Sequence, residues 1–104
     1  MLVVNIDYVP GKDISHVLGL VKGEIVQSKN IGRDVMAGVK TIVGGEIKSY
    51  TDMISSAREV ATKRMIEEAE KLGADAIINV RYGSSAVMSG AAEIIAYGTA
   101  VKLK

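Results

Sequence analysis

Few residues in this chain combine the types and spacing that chemistry requires. Arg33-Asp34 is a charged pair with the means to hold an anion or a carbonyl. The plainer reading is a helix first turn: Asp34 suits the positive end of the dipole, and Arg33 makes a salt bridge to a sheet edge or a neighbouring subunit. Gly44-Gly45-Glu46 has backbone N–H groups to offer a phosphate at a helix N-terminus. It matches neither GxxxxGK[ST] nor GxGxxG, and a bent joint between two helices, placed at a subunit contact, is the simpler use of two glycines. His16 is the sole histidine and has no acidic or cysteine partner at ligand spacing. Glu67, Glu68 and Glu70 read as a solvated helix face, although a symmetry axis multiplies one carboxylate into a hard-cation site. Ser84-Ser85 and Ser89-Gly90 lack a G-x-S-x-G elbow, and with one histidine in the chain a Ser-His triad is not expected. Tyr50, Tyr82 and Tyr97 either line a pocket or pack in the core with their hydroxyls at its rim.

Composition narrows the classes further. A chain of 104 residues supports one domain, spanning 1–104, and is too short for two independent cores. Its 48% hydrophobic and 24% charged content is that of a globular chain. Thirteen basic and twelve acidic residues are interspersed to a net charge of +1. With no Trp or Phe and four Tyr, the chain has neither a basic field nor stacking platforms, so nucleic acid is not an expected partner. No apolar run reaches the ~18 residues of a membrane span. The opening MLVVNIDYVPG lacks a basic leader and a cleavage site, so it reads as a strand, and a cytoplasmic location is expected. The absence of cysteine removes disulfides, thiolate nucleophiles and the soft ligands of heavy metals. No cofactor is expected.

Periodicity places these residues on elements. Residues 2–6 predict a short strand closed by Pro10-Gly11. Residues 15–28, SHVLGLVKGEIVQS, predict an extended strand in which Gly19 and Gly23 mark a bulge, a bend or a close backbone approach. Simple alternation puts Val17, Val21 and Ile25 on one face with those glycines. It puts Leu18, Leu20 and Val26 on the other with Lys22 and Glu24, so both faces want cover. Asn30 caps a predicted short helix over 31–43, and Gly44-Gly45 stops it. The clearest element is a long helix over 46–72, with Ile47, Tyr50, Ile54, Ala57, Ala61, Met65, Ala69 and Leu72 at helical spacing and Gly73 as its cap. It would be roughly 40 Å long at 1.5 Å per residue, long for so small a domain. Residues 74–84 predict a strand with Ile78, Val80 and Tyr82 on one face and Ile77, Asn79 and Arg81 on the other. Gly90 marks a turn, and residues 93–104 alternate cleanly as a last strand. The sum is an α+β fold: a small, mostly antiparallel sheet with one short and one long helix packed on one face. The other face is too apolar for water, which predicts a covering subunit and hence a homo-oligomer.

Taken in order, certain residues resemble one family. They are Gly19 with Gly23-Glu24, Arg33-Asp34 after Asn30-Ile31, Val43-Gly44-Gly45, Tyr50 and Ala57-Arg58-Glu59. The helix end Leu72-Gly73-Ala74-Asp75-Ala76 follows, and Gly98-Thr99-Ala100-Val101 with Lys102-Leu103 closes the set. The chain is similar, from Gly11 onward, to the YbjQ-like family of small bacterial and archaeal proteins, whose label is heavy-metal binding. The resemblance implies a dodecin-like subunit assembled as a ring, a homopentamer in type, with no established reaction.

The expectation is therefore a pentameric assembly or small-ligand-binding protein that is not an enzyme. Arg33, Asp34, Gly44, Gly45 and Tyr50 are its candidate ligand or subunit contacts. A metal-ion-binding protein with sites shared between subunits is the first alternative. An enzyme with an intersubunit site is the second.

Overall fold

The computed structural model describes residues 1–28, 42–43 and 46–104. The elements run β1 (Leu2–Val3), β2 (Ile14–Ser28), β3 (Ile42–Val43), β4 (Glu46–Ile47), α1 (Lys48–Lys71), β5 (Ala76–Met88) and β6 (Ala91–Leu103). Four strands form one mixed sheet in the order β1-β5-β6-β2. β5 and β6 are an antiparallel hairpin turned at Ser89-Gly90, and β2 pairs antiparallel with β6 on the far side. β1 lies parallel to β5 at Leu2↔Ala76 and Val3↔Ile77.

α1 seats its stripe on one face of this sheet. Met53, Ala57, Ala61, Met65 and Ala69 recur every four residues, and all are buried. Three of the five are alanines, so the helix comes in very close. A Cβ built on Gly23 of β2 would collide with Ala61 O and Met65 N and stand 2.9 Å from Arg64 Cβ. Glycine at this position is what lets helix backbone touch strand backbone. Val21, Ile77, Val80, Ile94, Ala96 and Ala100 complete this core from the sheet side.

Two bulges decide which side chains face that core. Val17 pairs with Val101 and Gly19 with Ala100, so Leu18 is the extra residue, and Gly19 takes a φ of +122°. Leu18 consequently turns to the helix side while Val17 stands 67% exposed on the other. On β5, Ile78 pairs with Thr99 and Arg81 with Tyr97, with Asn79 in the left-handed region at φ +53°. Past this bulge Val80 joins Ile77 under the helix, and Ile78 is left on the opposite face with Val9, Ala76 and Val101. There the segment before β2 folds over one end of the sheet and buries Val9.

Several expectations are corrected. The alternations assigned to residues 15–28 and 74–84 are each broken by a bulge, so Val17 does not share a face with Val21, nor Ile78 with Val80 and Tyr82. The sheet is mostly antiparallel, as expected, and β1, which runs parallel to β5 over two residues, makes it mixed. Residues 42–43 and 46–47, placed at the end of a short helix and the start of the long one, are paired strands with Ile42↔Ile47 and Val43↔Glu46. The long helix thus begins at Lys48, and the joint expected at Gly44-Gly45 lies outside the described residues. The rest of the predicted short helix, 31–41, lies outside the described residues. No helix among the described residues is long and apolar enough to cross a membrane.

Candidate functional site

The sheet face opposite α1 carries the largest chemical anomaly. Beyond the end covered by Val9, it presents Leu20 at 73% and Val26 at 60% exposure from β2, with Val17 at their N-terminal side. Tyr97, paired with Lys22, and Ile95, paired with Glu24, continue it onto β6. Among the described residues, Lys22 and Glu24, joined at 3.1 Å, and Arg81 and Glu93 bring charge to this surface. On β2 itself Lys22 and Glu24 stand between Leu20 and Val26, so the apolar surface is continuous only by way of Tyr97 and Ile95 on the neighbouring strand.

Among the described residues, two cavities on the helix side lie over the part of β5 that α1 leaves largely uncovered, and another, of about 510 Å³, flanks α1 beside β2 between Val21 and Lys71. One, of about 540 Å³, is lined by Arg58, Thr62, Ile66 and Tyr82 among others. The Thr62 hydroxyl donates to the Arg58 carbonyl at 2.7 Å, so at 2.8 Å it accepts from the Tyr82 hydroxyl. The second, of about 390 Å³, lies between Tyr50 and Ile54 of α1 and Ser84, Ala86 and Met88 of β5. Elsewhere Arg64 Nη1 donates to the Glu24 carbonyl at 2.6 Å, tying α1 to β2 beside Gly23. Asp75 Oδ2 accepts the Leu103 N–H at 2.9 Å, holding the end of β6 to the turn after the helix.

Of the predicted site residues, Tyr50 is half-buried and lines the second cavity. Arg33, Asp34, Gly44 and Gly45 lie outside the described residues. His16 is exposed, its Nδ1 3.2 Å from Ser15 Oγ. Glu67, Glu68 and Glu70 are exposed, and Glu68 meets Lys71 at 3.2 Å. Among the described residues no three His, Cys, Asp or Glu side chains converge on a point that would hold a metal ion. Ser84 and Ser85 sit at adjacent strand positions with no histidine near them; their register partners are Ile94 and Glu93. Sequence reading missed the Thr62–Tyr82 and Arg64–Glu24 contacts, since both join residues far apart in the chain. The bareness of β2 was legible in part, from Leu20 and Val26 among its polar residues.

A family model described as "Putative heavy-metal-binding" matches residues 1–104. A UPF0145 protein of Fervidobacterium nodosum is 61% identical over 104 residues, covering 100% of this chain and 96% of that one. A UPF0145 protein of Clostridium novyi is 58% identical over 103 residues, 99% of each chain. Among solved structures, a protein of unknown function from the DUF74 family of Pediococcus pentosaceus superposes with a TM-score of 0.65. At 14% identity, it covers 100% of this chain and 98% of that one, which is a likeness of fold.

Proposed function

This chain belongs to the YbjQ-like family, and from that premise we propose that it acts as a homo-oligomeric assembly protein, a pentameric ring, and not as an enzyme. The observation that supports the reading is the set of exposed apolar side chains Val17, Leu20 and Val26 of β2 with Tyr97 of β6, on the sheet face that no described residue covers beyond Val9. Fully burying one Leu or Val side chain returns about 1.5–3 kcal/mol, so covering this patch with other copies is a substantial driving force. Tyr50 and its cavity, with Arg33, Asp34, Gly44 and Gly45, are the proposed contacts to a neighbouring copy or a small ligand.

Heavy-metal binding, the description attached to the family, has no thiolate to draw on here, and methionine thioethers are the soft donors that the chain offers. The chain has no cysteine and one histidine, and that histidine is exposed beside a serine. The assembly is therefore proposed to hold together by apolar burial. Light scattering tests this: the expected mass is near five times the 11.0 kDa of the chain, unchanged by a chelator. Leu20→Lys, which places a charge in the patch, is expected to shift that mass towards the monomer. A monomeric wild type, or a ring that a chelator takes apart, would refute the reading.

A further inference from the structure

β5 has one naked flank. β1 accompanies it at Ala76 and Ile77, and the segment after β1 reaches it by Val80 N–H to Val4 O at 3.0 Å and Asn79 N–H to Ile6 O at 2.9 Å. From Tyr82 to Met88, among the described residues, no strand lies on its outer side. β2 closes the sheet at the other end and, among the described residues, is equally bare, with an unbroken register against β6 from Gly19 to Ser28. Soluble proteins guard such edges with proline, charge, bulges or shortness. Residues 82–86, Tyr-Gly-Ser-Ser-Ala, carry no charge and no proline. On β2, Arg64 takes the Glu24 carbonyl, and residues 25–28 carry neither charge nor proline.

The two edges differ in what lies above them. α1 rides over β2, backbone to backbone at Gly23, with a cavity of about 510 Å³ along its outer flank, and leaves the helix side of β5 to the pair of cavities beside Thr62 and Tyr50. Strands in a sheet sit about 4.8 Å apart, whereas packed helices need about 8–10 Å. Joining β2 to β2 across a two-fold axis would crowd two helices, each seated over its own edge strand. Joining β5 to β5 would set two uncovered grooves side by side. Joining β2 of one copy to β5 of the next brings a helix to the groove that lacks one. Three strands span about 14 Å, which accommodates one helix per copy with little to spare. Charge agrees: Arg58 and Lys63 against Glu59, Glu67 and Glu70 leave the groove rim one negative, while the α1 flank beside β2 has Arg64 and Lys71 against Glu68.

We propose that the outer edge of β2, with its helix, docks on the outer edge of β5 in a second copy of this chain and closes the groove lined by Thr62 and Tyr82. Both strands are antiparallel to β6, so they run the same way, and the joint continues the sheet in parallel. It is a head-to-tail contact, which closes into a ring by repetition. The helices, being the bulkier layer, take the convex outside, and the Leu20 and Val26 faces of all copies turn inward. The inference rests on the homo-oligomeric reading above.

The absence of native cysteine makes the test direct. Ser85→Cys on β5 and Glu24→Cys on β2 are exposed positions on the same sheet face. After treatment with a short bismaleimide, each single variant is expected to run as a monomer on a denaturing gel. The double variant is expected to give a covalent ladder ending at the ring's copy number. Mixing the two single variants is expected to give a heterodimer. Light scattering beforehand separates the two claims. A monomeric mass overturns the assembly itself. An oligomeric mass with dimers from a single variant, or without a ladder from the double variant, overturns the edge joint alone.

Discussion

Replacing Gly23 with alanine asks how closely α1 and β2 are matched. The added methyl would sit inside contact distance of Ala61 O and Met65 N, both backbone atoms of the helix, and 2.9 Å from Arg64 Cβ. No rotamer change relieves a clash with backbone, so the helix has to lift by roughly 1.5 Å to restore separations near ~3.5 Å. Even a gap of ~1 Å forfeits a quarter to a half of the dispersion well for every atom pair that the lift draws apart. The packing at stake is that of Ala57, Ala61, Met65 and Ala69, all at or below 1% exposure. The cost is set at about 3 kcal/mol, the top of the usual range for overpacking. At roughly 4 °C per kcal/mol for a domain of this size, the melting temperature should fall by about 12 °C. Circular dichroism melts at one fixed protein concentration read this, since oligomer stability depends on concentration. Gly83→Ala is the control: its Cβ meets only Ile95 Cγ2, at 3.2 Å, and a change below about 1 kcal/mol is expected. If Gly23→Ala melts within a degree or two of the wild type, the close backbone approach assigned to this pair is wrong.

Two further substitutions probe the bulge and the end of the sheet. Asn79 holds a left-handed φ of +53°, so Asn79→Ala should cost about 1–2 kcal/mol while Asn79→Gly costs less, both read by denaturant titration; equal losses would mean that the side chain and not the backbone matters there. Asp75→Ala removes the acceptor of the Leu103 N–H and should cost about 1 kcal/mol, with faster amide exchange at Leu103 as its local signature; unchanged exchange at that amide would show that the hydrogen bond does not hold β6 in place.

The alternation of residues 93–104, the spacing of Met53, Ala57, Ala61, Met65 and Ala69, and the glycine at 90 are local patterns. The sequence alone was enough to find the last strand, the long helix and the hairpin turn. It also determined that thiolate ligation is missing, since the chain has no cysteine. What it could not determine was parity. A bulge costs one residue of register and flips every side chain after it, and nothing in the run of residues says whether Leu18 or Val17, Ile78 or Val80, will be the one turned inward. Only the pairing of β2 and β5 against β6 decided that. The same holds for the candidate surfaces. Leu20 and Val26 are exposed because the pairing of β2 turns them to the face opposite α1, and the helix side of β5 is uncovered among the described residues because α1 settles over β2 at Gly23. That choice is made by the fit of three alanines against one glycine 34 to 46 residues earlier in the chain, a meeting that no local pattern records.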